Sequence, residues 1–199
     1  KRGGNKWKIK ELSGDFLSSI NRYFILSQFC DWNTQTMVNA FARMAAEAGR
    51  SGSIFPESAI RALAVTKNRS DTLYFHQFSS LPWLATKILT PGRSYLFHDQ
   101  KPQVDHIFPL ALDGKDEDYR QQVDVVWNFQ PMPAGVNNYK RARHPQEFFN
   151  SPDGAKYWSD YDFVPEPRSN IWSDFRRFIR CRHLQMRRAL LNRYGLRLK

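Results

Sequence analysis

The chain has 199 residues, with 30 Lys and Arg against 19 Asp and Glu, and hence a formal net charge of +11. Its hydrophobic fraction of 41% and aromatic fraction of 15% are sufficient for a packed core, which excludes a wholly disordered chain. A balance this basic favours a polyanionic partner, with nucleic acid first and an anionic membrane surface second.

Membrane-spanning and secreted proteins are the classes that the sequence argues against. No stretch approaches the ~20 apolar residues that a membrane span needs, so we expect no membrane. The first ten residues are charged and precede no apolar segment, unlike a signal peptide. The two cysteines, Cys30 and Cys181, are far apart, which excludes a Cys-x-x-Cys zinc site and suits a reducing compartment. We expect a cytoplasmic protein.

Helical spacing dominates the first part of the chain, residues 1–98, which we interpret as a helical scaffold. Three of its apolar residues fall three and four apart: Leu17, Ile20 and Phe24. A further short helix is expected over 57–65, and Ser70-Asp71 has the residue types of an N-cap for the next helix. Nothing in this part has catalytic spacing.

The sequence pattern changes at residue 99, and residues 99–150 are predicted to form a compact unit of strands and a short helix. Strand, loop, strand and short helix are expected in this order: "QVDHIF" (103–108), "LALDGKDEDYRQQ" (110–122), "VVWNFQPM" (125–132) and "AGVNNYKRA" (134–142). Pro131 and Pro133 are expected to end the second strand, and the helix is expected to close before Pro145.

Residues 151–199 are predicted to form a linker and a long basic helix that packs on the preceding unit. From Ser169 or Ser173 onward, apolar residues follow helical spacing, and arginines occupy the positions between them. Residues 168–199 hold ten Lys and Arg and one acid, Asp174, so this stretch carries +9 of the net charge. We interpret the arginines as a phosphate-binding surface rather than a solvated face, because compensating acids are nearly absent. Arg176, Arg180 and Arg187 are the candidate contacts.

Five polar residues of the strand–strand–helix unit have the types that phosphodiester hydrolysis needs: Asp105, His106, Asn128, Asn137 and Lys140. The reaction needs a hard cation near the phosphate and a base that activates water, for which histidine is suited. Consecutive strand residues point to opposite faces, so Asp105 and His106 can serve a metal and a water separately. Carboxylate and amide oxygens suit Mg²⁺ or Mn²⁺ better than Zn²⁺.

The pattern "VDHIFP…NFQPM…NNYK" resembles the HNH (ββα-metal) endonuclease family over residues 99–149. The resemblance implies that His106 is the general base, that Asn128 orients it, and that Asp105 and Asn137 are metal ligands. It also implies that Lys140 lies near the phosphate. The third motif residue is asparagine rather than histidine, and the paired cysteines of many HNH units are absent.

Two further residues compete for these roles. Asn138 is the rival ligand to Asn137, and one residue of slip would exchange them. His144 could be a third ligand, although its place before Pro145 favours a structural role. Asn128 alone could also close a bulge.

Within that family the pattern resembles the C-terminal HNH domains of GmrSD-like modification-dependent restriction and phage-defence nucleases, in which a sensing or nucleotide-hydrolysing domain lies upstream. We therefore expect a mainly helical α+β fold and a Mg²⁺- or Mn²⁺-dependent endonuclease that nicks or cleaves DNA. RNA as the substrate stays open. The alternative is a non-catalytic module, with a decayed HNH fold, that binds nucleic acid or a partner.

Overall fold

The computed structural model describes residues 14–51, 55–89, 102–112, 116–158 and 163–199. The described part is mainly helical and contains a two-stranded antiparallel sheet, which confirms the expected mainly helical α+β class. None of the described helices is both long enough and apolar enough to cross a lipid bilayer.

The chain divides into two compact units, Lys1–Leu73 and Tyr74–Lys199. The division lies before the predicted boundary at residue 98, so the described residues 74–89 belong to the second unit. The described helices of the first unit are α1 (Gly14–Phe29), α2 (Gln35–Ser51) and α3 (Glu57–Thr66). The second unit contains α4 (Phe75–Ser79), α5 (Pro82–Leu89), β1 (Pro102–His106), α6 (Glu117–Val123), β2 (Phe129–Pro133), α7 (Ala134–Lys140), α8 (Pro145–Asn150), α9 (Pro152–Trp158) and α10 (Phe175–Tyr194).

Aromatic packing and one ion pair connect the helices of the first unit. Tyr23 of α1 stacks on Phe41 of α2 with ring centroids 4.0 Å apart, and Arg22 pairs with Glu57 of α3 at 2.7 Å. The helical prediction is confirmed, although two of the apolar residues whose spacing predicted α1 lie outside its buried part. Leu17 and Phe24 are exposed, whereas the residues that follow Phe24, including Leu26, are buried.

Two local predictions are wrong because side chains cap the backbone differently. Ser70 caps a turn, since its hydroxyl accepts from the Thr72 amide at 3.0 Å, and the next helix begins only at Phe75. The predicted polar loop over 110–122 contains α6. Asp116 starts this helix by accepting from the amides of Asp118 and Tyr119 at 2.9 and 3.3 Å.

The sheet pairs β1 with β2 from Pro102↔Pro133 to His106↔Phe129. Pro131 lies inside the ladder and does not end the strand, whereas β2 does end at Pro133, whose pair with Pro102 is the last of the ladder. A proline is tolerated in a ladder where its nitrogen faces away from the partner strand, and a spacing of two residues gives both nitrogens the same side.

The core of the second unit lies where α7, α8 and α10 pack on the loop after β1. Its buried apolar residues are Ile107, Phe108, Met132, Val136, Phe148, Phe149, Trp172 and Phe178. Phe108 contacts Phe178 of α10 with centroids 4.8 Å apart, and it also contacts Trp172 at 6.0 Å. The residues directly after His106 are therefore anchored in the core.

Arg182 of α10 is fully buried, although the sequence places it among the surface arginines. Its guanidinium donates to the carbonyls of Trp127 and Phe129 at 2.5 and 2.9 Å, and to Gln130 Oε1 at 3.2 Å. It thus fastens the long helix to the start of β2, on either side of Asn128.

The helix α10 has capped ends, and its last turn is fastened to α5. Asp174 accepts from the Arg177 amide at 2.9 Å, and Gly195 ends the helix in the left-handed conformation with φ 65°. Tyr194 donates its hydroxyl to the carbonyl of Ile88 at 2.9 Å. Beyond the helix, the carbonyl of Lys199 accepts from the amide of Phe75 at 2.7 Å.

Replacing the buried Arg182 should lower the free energy of unfolding much more than replacing an exposed arginine on the same helix. We expect Arg182→Met to lower the free energy of unfolding by about 3–5 kcal/mol, because buried carbonyls lose their donor. The matched control Arg180→Met should change it by less than about 0.5 kcal/mol. Urea unfolding measures both, and equal effects would contradict the anchoring role of Arg182.

Candidate active site

The site is built on the end of β1, where consecutive side chains face opposite sides of the sheet. Asp105 shares one face with its pairing partner Gln130, and His106 shares the other face with Phe129. The His106 ring meets Phe129 edge-on, with centroids 4.8 Å apart. The structure therefore gives Asp105 and His106 separate surroundings, as the sequence predicts for this pair.

His106 is the accessible member of the pair. Its side chain is 30% exposed, and its Nε2 lies 3.0 Å from Oδ1 of Asp124, a residue that the sequence analysis did not single out. Asp124 is the residue that follows α6, and its side chain is 73% exposed. The imidazole is thus held on two sides, by a carboxylate and by an aromatic ring, while it stays open to solvent.

Asp105 is buried and pairs with Lys140 of α7. Lys140 Nζ lies 3.2 Å from Oδ1 and 3.1 Å from Oδ2, and it also donates to the carbonyl of His106 at 2.7 Å. Burial raises the pKa of the Asp105 carboxyl and lowers the pKa of the Lys140 amine, and the attraction between them opposes both shifts.

The surroundings of Lys140 do not match the predicted phosphate contact. Its side chain is fully buried, and its ammonium is already occupied by a carboxylate and a carbonyl. Residues 137 and 140 lie three apart on α7, and the helix rests on the Asp105 face of β1, so this spacing directs the lysine inward. In this structure Lys140 holds the strand end instead.

Asn128 is fully buried and clamps two backbone segments. Its Oδ1 accepts from the Phe108 amide at 2.9 Å, and its Nδ2 donates to the carbonyls of Phe108 and Val123, each at 2.9 Å. Its own carbonyl accepts from the Ile107 amide at 2.8 Å. Asn128 therefore bonds to the backbone that follows His106, and any orienting of the imidazole by Asn128 would act through that backbone.

The third motif residue lies over the same face of β1 as Asp105. Asn137 Nδ2 donates to Gln103 Oε1 at 2.8 Å, and residues 103 and 105 share a strand face. Asn138, the rival ligand, is exposed. His144 has a structural contact, because its Nδ1 accepts from the Gln146 amide at 3.2 Å and so caps α8.

The predicted Mg²⁺ site can be tested against these donors. Among the described residues, no group of three or more His, Cys, Asp or Glu side chains could hold a metal ion. Asp105 and Asn137 offer oxygens, which is the donor type that Mg²⁺ prefers. Asp105 Oδ2 is buried and accepts no hydrogen bond, although the Lys140 ammonium lies 3.1 Å away. The donor type fits Mg²⁺, while Lys140 competes for the carboxylate.

The candidate DNA contacts lie on one exposed face of α10. Arg176, Arg180 and Arg187 are all exposed, and spacings of four and seven residues place them on a common side. Arg176 pairs with Asp118 at 2.7 Å, and Arg187 donates to the Leu198 carbonyl at 2.9 Å. The predicted basic face is therefore present, but two of its three arginines also have contacts within the chain.

Asp124 and Arg182 are the residues of the site region that sequence reasoning missed. Asp124 stands alone between valines, and nothing in its sequence context relates it to a histidine 18 residues earlier. Arg182 does have a signal, because position 182 falls on the side of α10 that carries Phe178, Met186 and Leu190.

The chain matches no protein-family model, no curated protein and no solved structure. The resemblance to HNH endonucleases accordingly rests on the residues of the chain.

Breaking the buried pair from the lysine side should destabilise the protein. We expect Lys140→Met to lower the free energy of unfolding by roughly 3–5 kcal/mol, because it leaves the Asp105 carboxylate buried without its counter-charge. The double variant Asp105→Asn/Lys140→Met has no unpaired buried carboxylate, so its free energy of unfolding should return to within about 2 kcal/mol of wild type. Urea unfolding of the three proteins decides this, and a double variant no more stable than Lys140→Met would contradict the pairing.

Proposed function

We propose that the chain is a metal-dependent HNH endonuclease domain that hydrolyses DNA phosphodiester bonds. The observation that carries the proposal is the surroundings of His106, a partly exposed imidazole held at a strand end by Asp124 and Phe129. Beside it are a buried carboxylate and an amide-bearing helix, in the order that the motif resemblance requires. In this interpretation β1, β2 and α7 form the ββα unit, and the other helices support it.

In the proposed reaction His106 accepts a proton from a water molecule as the water oxygen attacks phosphorus. The bond between phosphorus and the leaving 3′ oxygen breaks, and that oxygen acquires a proton from solvent. Asn128 keeps the backbone beside His106 in place, and Lys140 holds the His106 carbonyl, so the imidazole keeps its position during the reaction.

Asp105 and Asn137 are the residues that would hold Mg²⁺ or Mn²⁺. When bound, the cation supplies charge stabilisation to the phosphate and the leaving oxygen. Gln103 keeps the Asn137 amide over the strand face on which Asp105 lies. The metal and the Lys140 ammonium would both draw on one carboxylate, because Lys140 Nζ lies 3.2 Å from its Oδ1 and 3.1 Å from its Oδ2.

The exposed face of α10 is the proposed phosphate-binding surface. Arg180 makes no hydrogen bond or ion pair with another described residue, so its guanidinium can reach a phosphate. Contacts between arginine and phosphate bind the DNA backbone without reading its sequence. A cytoplasmic effector of restriction or antiviral defence, acting with an upstream sensing domain, is the biological role that we infer from the resemblance.

A non-catalytic nucleic-acid- or partner-binding module is the second candidate. The observation that favours it is the Asp105–Lys140 pair, because a lysine that permanently neutralises the carboxylate would leave no metal ligand there. Divalent-metal dependence separates the candidates, since phosphate binding by arginines needs no metal.

Cleavage should depend on the imidazole and on a divalent cation. We expect the chain to nick supercoiled plasmid with Mg²⁺ or Mn²⁺ and not with EDTA. His106→Ala should lower the rate by at least about 100-fold, because the base is lost, with DNA affinity unchanged. The control His76→Ala removes an exposed imidazole of α4 and should cut normally. A folded, DNA-binding chain that never cuts would instead support the second candidate.

DNA affinity should depend on the α10 face in a salt-dependent way. We expect Arg180→Gln to weaken binding of all sequences alike and to reduce the slope of log affinity against log salt by about 1, because one phosphate contact is lost. Arg43→Gln, the same change on an exposed arginine of α2, is the control. Fluorescence anisotropy over a salt series measures both, and identical slopes would exclude Arg180 as a contact.

A further inference from the structure

Asp124 has a specific contact with the proposed base. Its Oδ1 lies 3.0 Å from His106 Nε2, and the Phe129 ring lies nearly perpendicular to the imidazole, with centroids 4.8 Å apart. An ionised carboxylate only accepts hydrogen bonds. The contact therefore requires that Nε2 carries the hydrogen, which leaves the lone pair of neutral His106 on Nδ1.

Asn128 fixes both members of this contact through their neighbours. One side-chain amide bonds to Phe108, two residues after His106, and to Val123, the residue before Asp124. The two segments that carry the carboxylate and the imidazole are thus joined by one fully buried group.

We propose that Asp124 is a positioning residue that holds His106 in the Nε2–H tautomer and presents Nδ1 as the atom that accepts the proton from water. The inference rests on the proposed function and adds to it the residue and the ring atom. A carboxylate that accepts from one ring nitrogen sets the tautomer and the orientation of the other. Neither the motif residues nor their spacing assign this role to Asp124.

The test compares three variants in the same chain. Asp124→Asn replaces the acceptor by an amide of the same shape, Asp124→Glu restores a carboxylate, and Glu117→Gln removes an exposed carboxylate of α6 that bonds to Gln121. Plasmid nicking gives kcat and KM, and ¹⁵N–¹H correlation spectra of the imidazoles, with His106 assigned by His106→Ala, give the tautomer.

We expect Asp124→Asn to lower kcat by about 10- to 100-fold, with KM changed less than about twofold. The spectra of this variant should show a mixture of the Nε2–H and Nδ1–H tautomers of His106 instead of the Nε2–H tautomer alone. Asp124→Glu should recover part of both, and Glu117→Gln should change neither. An unchanged Nε2–H signature in Asp124→Asn would overturn the inference, and so would a wild-type kcat.

The two readouts separate this inference from the proposed function. If the wild-type chain does not cut DNA, the proposed function fails, and the spectra alone decide whether Asp124 sets the tautomer. If the chain cuts and His106→Ala does not, while Asp124→Asn keeps the Nε2–H signature, the function stands and the positioning role is excluded.

Discussion

The burial of one guanidinium beneath the start of β2 is the interaction on which the arrangement of the second unit depends. Arg182 binds the carbonyls of Trp127 and Phe129, and the residue between them is Asn128. A charged group of this size is retained in a core only where its donors are satisfied, so it tolerates little movement of the strand. The long helix thus fixes the position of the amide that organises the site.

Asn128 in turn holds His106 and Asp124 in place through the backbone next to each of them. Its side chain joins the loop after β1 to the segment after α6, and the first of these follows His106 while the second precedes Asp124. On the other face of the strand, Lys140 binds both the Asp105 carboxylate and the His106 carbonyl. The imidazole is therefore placed by contacts to its neighbours, which leaves the ring itself accessible.

Sequence patterns predicted the elements that depend on local periodicity and missed the contacts that depend on distant partners. The long helix, β1, α7 and the second half of the strand predicted over 125–132 follow from the spacing of apolar residues and from turn residues, whereas Val126–Asn128 form a 3₁₀ helix. The helix α6 was missed because its start depends on a single capping group, Asp116. The burial of Lys140 was missed, and the residue was expected at a phosphate instead. Its burial depends on the contact with Asp105, 35 residues away in the sequence, which no local pattern records.

The contact between Phe75 and Lys199 affects when the second unit can complete its folding during translation. The amide of Phe75 bonds to the carbonyl of the last residue, and Arg182 reaches strand residues more than fifty positions earlier. Domains begin to fold as they leave the ribosome, but contacts of such long separation form only when both partners have emerged. During translation, the segment that carries His106 and Asp124 therefore emerges well before the helix that fixes it. The site can reach its final geometry only after α10 has left the ribosome.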